Sequence, residues 1–131
     1  MASLFAYGTL CNTNVQRLLF GRTLKSFEYV LHGYTVCQCH DGFFTIKEQS
    51  GSSVSGRILE LTDEDMVIAD EWELVPLYER IHMHSGDNTF WTYIRGDMAD
   101  VVEDNADGFS AYTEEELLAI VREFMEQRRQ P

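Results

Sequence analysis

An α+β fold, with a small mixed, barrel-like sheet and a few flanking helices, is what this chain predicts. Two observations carry that expectation. Five to seven short segments are rich in β-favouring residues, and few stretches have helical period with caps. The length, 131 residues, suits one hydrophobic core. No repeat, low-complexity tract or linker interrupts it, so residues 1–131 are expected to form a single domain.

Residues 3–7 read as a first strand, buried on both faces, that stops at Gly8. Asn12 or Asn14 caps a short helix through Phe20, with Val15, Leu18 and Leu19 facing the core and Gly21 ending it. Residues 27–40 carry β-favouring residues around Gly33, which predicts strand, bend and strand. Asp41-Gly42 is a hairpin-type turn leading into Phe43–Ile46. Ser50-Gly51-Ser52-Ser53 reads as a loop, and Val54–Leu61 as another strand.

Thr62 is a good N-cap, and Asp63, Glu64 and Asp65 sit where the helix dipole favours negative charge. The spacing predicts roughly three turns toward Trp72-Glu73, with Pro76 marking the end. Tyr78–Met83 and Phe90–Ile94 read as strands joined by a turn around Gly86-Asp87-Asn88. Residues 96–109 read as acidic and irregular. Thr113 and Glu116 form a capping box for a last helix whose apolar face carries Leu117, Leu118, Val121, Phe124 and Met125.

The bulk properties narrow the function. A hydrophobic fraction of 44% is a globular value. Ten basic against 22 acidic residues leave a formal net charge of −12, which repels nucleic acid and anionic membrane surfaces. No apolar run is long enough to span a bilayer as a helix, and the first residues do not read as a signal peptide. Three cysteines argue against a closed disulfide framework, so a cytoplasmic protein with reduced thiols is expected. Oligomeric state is left open.

Two segments point to chemistry. Tyr7-Gly8-Thr9-Leu10 follows the first strand and can turn backbone N–H groups toward one point, a nest for an anion or oxyanion. Ala69-Asp70-Glu71-Trp72-Glu73-Leu74, followed by Tyr78-Glu79-Arg80, places acidic residues at a helix end. On residue type alone, Glu73 is a solvated surface carboxylate or a general base. Tyr78 and Arg80 line a pocket or serve as a buried aromatic and a structural ion pair. Tyr93 is a pocket hydroxyl or a packed strand tyrosine, and Thr9 either contributes to the nest or satisfies a turn. A rival reading pairs Cys37 and Cys39 with His82 and His84 as a zinc site, if their strands are neighbours. The Cys-x-Cys and His-x-His spacings are not those of zinc ribbons, so no metal and no cofactor are expected. Nothing in the sequence places Cys11 beside a base.

These two segments resemble the gamma-glutamylcyclotransferase-like family, which has a Tyr-Gly-Ser-Leu-type loop and a later Leu-Asp-x-x-Glu-Gly…Tyr-x-Arg segment. The likeness spans roughly residues 3–95 and includes Phe20-Gly21-Arg22, Leu31-His32-Gly33-Tyr34 and Val54–Leu61. Thr9 stands for serine, Ala69 for leucine and Leu74 for the usual glycine. The resemblance implies a metal-independent acyltransferase-type enzyme acting on a small γ-glutamyl amine or γ-glutamyl amino acid. The α-amino group of the substrate attacks its own γ-carbonyl, giving 5-oxoproline and a free amine. It implies Glu73 as the catalytic residue, with Tyr7, Gly8, Thr9, Leu10, Tyr78 and Tyr93 binding substrate. A helix C-terminus, flanking Trp72, Leu74 and Val75, and nearby Asp70 are each expected to raise the Glu73 pKa. The alternative is an inactive binding or regulatory module of the same fold, motivated by Leu74.

Overall fold

The computed structural model describes residues 1–39, 43–75, 77–95, 101–104 (backbone only) and 113–129. In chain order they form β1 (Ala2–Ala6), a 3₁₀ turn (Thr9–Cys11), α1 (Thr13–Phe20), β2 (Ser26–Cys39), β3 (Phe44–Leu61) and α2 (Asp63–Trp72). Then come β4 (Tyr78–Ser85), β5 (Asn88–Arg95), β6 (Val101–Asp104) and α3 (Glu114–Arg129). The expected α+β class is what the chain adopts.

The strands make one six-stranded sheet in the order β4-β5-β1-β3-β2-β6. It is mixed, because β1 runs parallel to β5 while the other neighbours are antiparallel. The order is open, with β4 and β6 at its ends, so the sheet is not a closed barrel.

Each face of this sheet has its own core. On one, Leu4, Ala6 and Leu59 meet Leu10, Val15 and Leu19, then Met66 and Ala69 of α2 and Leu117 and Val121 of α3. On the other, Phe5, Leu31, Val36, Ile46, Val54, Ile58 and Phe90 pack on one another without any described helix. The sheet curls around this second cluster. Side-chain hydrogen bonds hold the curl, from Tyr29 Oη to Ser85 Oγ (2.6 Å) and from Tyr78 Oη to the carbonyl of Phe44.

Several expectations need correction. Ser50–Ser53 is not a loop: β3 spans 18 residues, with Ser53 opposite His32 and Glu48 opposite Tyr34, so residues 49–52 stand at the register irregularity around Gly33. The bend expected at Gly33 is a register irregularity between His32 and Tyr34, with Gly33 at φ 86°. The acidic segment contains β6, which pairs with β2 through residues 37–39; its neighbours, and the Asp41-Gly42 turn, lie outside the described residues. Tyr7 has left the strand. Gln16, not only Val15 and Leu19, is buried on α1, where it donates to the Leu10 carbonyl and accepts from the Leu24 N–H.

The helix ends behave as their sequences require. Asn12 Oδ1 accepts from the N–H groups of Asn14 and Val15, and Gly21 closes α1 at φ 77°. Both capping boxes form, Thr62 with Asp65 on α2 and Thr113 with Glu116 on α3.

Exposure removes the zinc reading: Cys37 and Cys39 are buried in β2 while His82 and His84 are exposed on β4, which is not a sheet neighbour of β2.

Candidate active site

The end of α2 sets the site. Glu73 is its C-cap, and its N–H donates to the Ala69 carbonyl. The next two N–H groups turn back, Leu74 to the Glu71 carbonyl (3.2 Å) and Val75 to the Asp70 carbonyl (3.1 Å). This is the Schellman pattern, which requires a left-handed residue just past the cap, usually glycine. Here that residue is Leu74, at φ 60°. The position where the family has glycine therefore keeps a glycine-type backbone while carrying leucine, at a cost of roughly 1–2 kcal/mol. The Leu74 side chain is half-exposed, so it does not narrow the interior.

The helix end aims Glu73 inward. The residue as a whole is only partly buried, its carboxyl being the enclosed end. Burial pushes that carboxyl up to about 7 from an ordinary 4.5, and burial is the only cause. Two sequence expectations fail here. Asp70 does not raise Glu73, because it faces elsewhere: it accepts from Tyr93 Oη at 2.6 Å and lies 3.6 Å from Arg80 Nε. Leu74 and Val75 are too exposed to desolvate anything.

The desolvating wall is aromatic. The charge of Glu73 reaches Tyr7, Tyr78, Tyr93 and Cys11, raising each of them on top of the larger effect of burial. All three tyrosines are buried and hold their protons firmly. Yet each hydroxyl proton is used elsewhere: Tyr7 on the Tyr93 carbonyl (2.5 Å), Tyr78 on the Phe44 carbonyl, Tyr93 on Asp70. None of this ring of hydroxyls donates to Glu73, so burial acts on its carboxyl without a compensating donor from them.

The nest lies beside this ring. Gly8 precedes the 3₁₀ turn Thr9–Cys11, whose first N–H groups, Thr9 and Leu10, have no acceptor among the described residues. The Leu10 side chain is core, so only its backbone can serve a ligand. Thr9 Oγ1 accepts from Trp72 Nε1 at 3.0 Å, tying the nest to the residue before Glu73. Trp72 in turn meets Phe124 edge-on at 5.3 Å, so α3 braces the joint. Sequence reasoning named Trp72 only as a neighbour of Glu73; no local signal pairs it with Thr9, 63 residues away.

A cleft of about 800 Å3 opens along Tyr7, Gly8 and Cys11 and continues to Arg57 and Gly56 on β3. Two glycines line it for opposite reasons. A Cβ on Gly56 would stand 2.2 Å from the Ala6 carbonyl oxygen, so this glycine permits β1 and β3 to approach. A Cβ on Gly8 would meet nothing within 4 Å and would instead occupy ligand space. Cys11, whose thiol donates to the Ala6 carbonyl, is pushed by burial up to about 11, so it holds its proton and is a poor nucleophile. Among the described residues no cluster of three metal-ligating side chains forms.

Comparison with known proteins gives a consistent picture. The protein-family model for gamma-glutamyl cyclotransferase, AIG2-like proteins matches residues 4–114. Among curated proteins no sequence match is found. Several solved structures share the fold. A solution structure of an Arabidopsis thaliana protein has a TM-score of 0.61 at 21% identity, covering 98% of this chain and 79% of its own. An uncharacterized Homo sapiens protein has a TM-score of 0.63 at 15% identity, with 92% and 98% covered. A structure named gamma-glutamyl cyclotransferase has a TM-score of 0.61 at 13% identity, with 94% and 79% covered.

Proposed function

The chain belongs to the gamma-glutamyl cyclotransferase, AIG2-like family, and on that premise we propose that it is an enzyme cyclising a small γ-glutamyl compound to 5-oxoproline with release of an amine. The observation that carries the proposal is a carboxyl held near neutrality, Glu73, beside a backbone nest. A general base must be deprotonated at working pH yet able to give the proton back, and a pKa of about 7 suits both tasks.

The proposed steps are these. Glu73 takes a proton from the substrate's α-ammonium. The freed amine attacks its own γ-carbonyl, closing a five-membered ring. The oxyanion of the tetrahedral intermediate is stabilised by N–H groups of the Tyr7–Leu10 turn. Glu73 then delivers its proton to the departing nitrogen as the C–N bond breaks, and the ring nitrogen releases its second proton to water, leaving the neutral lactam. Tyr7, Tyr78 and Tyr93 keep water away from Glu73. The reaction is intramolecular, so the protein's largest contribution is to fold the substrate on itself; such alignment reaches effective molarities of roughly 10⁵–10⁸ M.

The inactive-module alternative drew on Leu74. The backbone there retains the left-handed turn and the side chain points away from the interior, which favours the enzyme reading. The test is 5-oxoproline release from a panel of γ-glutamyl compounds by the protein and by Glu73→Gln. Release by the first and loss in the second is expected; equal rates would remove Glu73 from the mechanism.

A further inference from the structure

The nest and the helix end that carries Glu73 come from distant parts of the chain, and one side chain joins them. Trp72 immediately precedes Glu73 at the end of α2, and its Nε1 donates to Thr9 Oγ1 at 3.0 Å. An indole N–H is a single donor with one fixed direction. This bond therefore sets how the helix end stands against the turn.

The indole is itself held. Phe124 of α3 meets it edge-on, with ring centroids 5.3 Å apart and planes at 77°. Leu117 and Val121 seat α3 in the helix-side core. Both ends of α3 are also tied to the elements that frame the site. Near its start, Glu114 accepts from Asn14 Nδ2 of α1, the helix that follows the nest, at 2.7 Å. Near its end, Arg128 pairs with Glu71 of α2, two residues before Glu73. Phe124 lies between these two ties. The family model ends at residue 114, where α3 begins, so the family match assigns this helix no role. Packing on Phe124 does not require the indole N–H, since a phenylalanine ring at position 72 offers the same edge contact.

We propose that Trp72 is a positioning residue for the reaction, and that the C-terminal helix holds it there through Phe124. This rests on the cyclisation reading above. Ring closure needs the base at the α-nitrogen and the nest at the γ-carbonyl of one folded substrate, at the same moment. The Trp72–Thr9 bond fixes that separation. Losing it leaves each half intact and lets one drift against the other. Substrate still binds, so the loss falls on kcat rather than KM. A misplacement of about 1 Å can cost on the order of 10²-fold.

The test is a double-mutant cycle on kcat and KM, using the γ-glutamyl compound of the panel that the unaltered protein cyclises fastest. Rates are taken per folded molecule, with the folded fraction from circular dichroism. Trp72→Phe keeps a ring against Phe124 and removes the N–H. Thr9→Val keeps the shape and removes the acceptor. Each is expected to lower kcat roughly 10-fold with little change in KM. The double variant should lose no more than the larger single loss. In a Thr9→Ser background, which keeps the acceptor, Trp72→Phe should still cost its full factor. Phe124→Leu should lower kcat by a smaller factor. Parental kcat per folded molecule in Trp72→Phe overturns the proposal while the cyclisation reading stands. So do additive losses in the double variant, and so does parental kcat in Phe124→Leu should Trp72→Phe fail to fold. Absence of 5-oxoproline from every compound with the unaltered protein rejects both readings.

Discussion

The two ends of α2 carry carboxylates with opposite fates. At the start, Asp65 is buried, which works against its charge, yet its pKa is lowered. Arg22 meets it at 2.6 and 3.2 Å, and the Thr62 N–H donates to it at 2.9 Å. At the finish, Glu73 is buried with no such donors and rises to about 7. One end of the helix satisfies its acid and gains stability. The other leaves its acid wanting and gains a group that can exchange protons at neutral pH. Burial is common to both, so the difference lies in where the nearby hydrogen-bond donors point.

The largest expected effect breaks the second end. Glu73→Gln should lower cyclisation by roughly 10²–10⁴-fold. It should also stabilise the protein, in a pH-dependent way. A carboxyl whose folded pKa is raised binds more protons folded than unfolded between 4.5 and about 7, so stability falls as pH climbs through that window. At pH 8 the full penalty is present, at most about 3 kcal/mol, and the glutamine removes it. Below pH 4 the variant and its parent should melt alike; a melting difference that does not depend on pH would refute the buried, unpaired carboxyl. In the same protein, the acidic limb of kcat/KM should rise through about 7.

Breaking the first end should do the reverse. Asp65→Asn is expected to cost about 1–2 kcal/mol at pH 7, from a weakened cap and a lost ion pair whose arginine is half in water. A lowered pKa gives stability above the ordinary aspartate range that is lost as pH falls, so the difference should shrink in acid. Cyclisation per folded molecule should be unchanged, as measured after active-site titration or folding-corrected assay.

The paired glycines sharpen the contrast between shape and function. Gly56→Ala should destabilise by about 1–3 kcal/mol, read by denaturant titration, because its methyl collides with the Ala6 carbonyl. Gly8→Ala should melt within about 0.5 kcal/mol of its parent, yet raise KM. Equal stability losses in the two would contradict their opposite surroundings. The smallest effect belongs to Leu74→Gly, expected to gain about 0.5–1 kcal/mol as left-handed strain is relieved against the entropy of a freer unfolded chain. Chemical denaturation measures it, and a loss would mean that the leucine side chain has a packing role.

Much of this was legible in the sequence. Thr62, Thr113, Asn12 and Gly21 announce helix ends because their contacts are local. Glu73 was found by resemblance and by its place at a helix terminus. Desolvation is also expected from the sequence as a cause of its raised pKa, but the part of Tyr7, Tyr78 and Tyr93 is not, since they come from separate parts of the chain and their hydroxyl directions depend on tertiary contacts. Ser50–Ser53 has the composition of a loop, and its place within β3 comes from the pairs on either side, Ser53 with His32 and Glu48 with Tyr34. Residues 101–104 sit in a stretch that reads as acidic and irregular, yet Val101 and Val102 favour a strand and pairing with β2 realises it. The burial of Gln16 has no local signal, because nothing nearby in sequence shows that the Leu10 carbonyl and Leu24 N–H need it.

Trp72 has a further use. The chain has two tryptophans, and this one bridges the nest and the helix end that carries Glu73. The other, Trp91, lies against His82 and beneath Arg80, on a different part of the sheet. An indole whose N–H is bound to Thr9 emits light that responds to any movement of that oxygen. With Trp91 replaced by phenylalanine, the protein becomes its own optical gauge of occupancy, readable in a stopped-flow instrument without a coupled assay or a label.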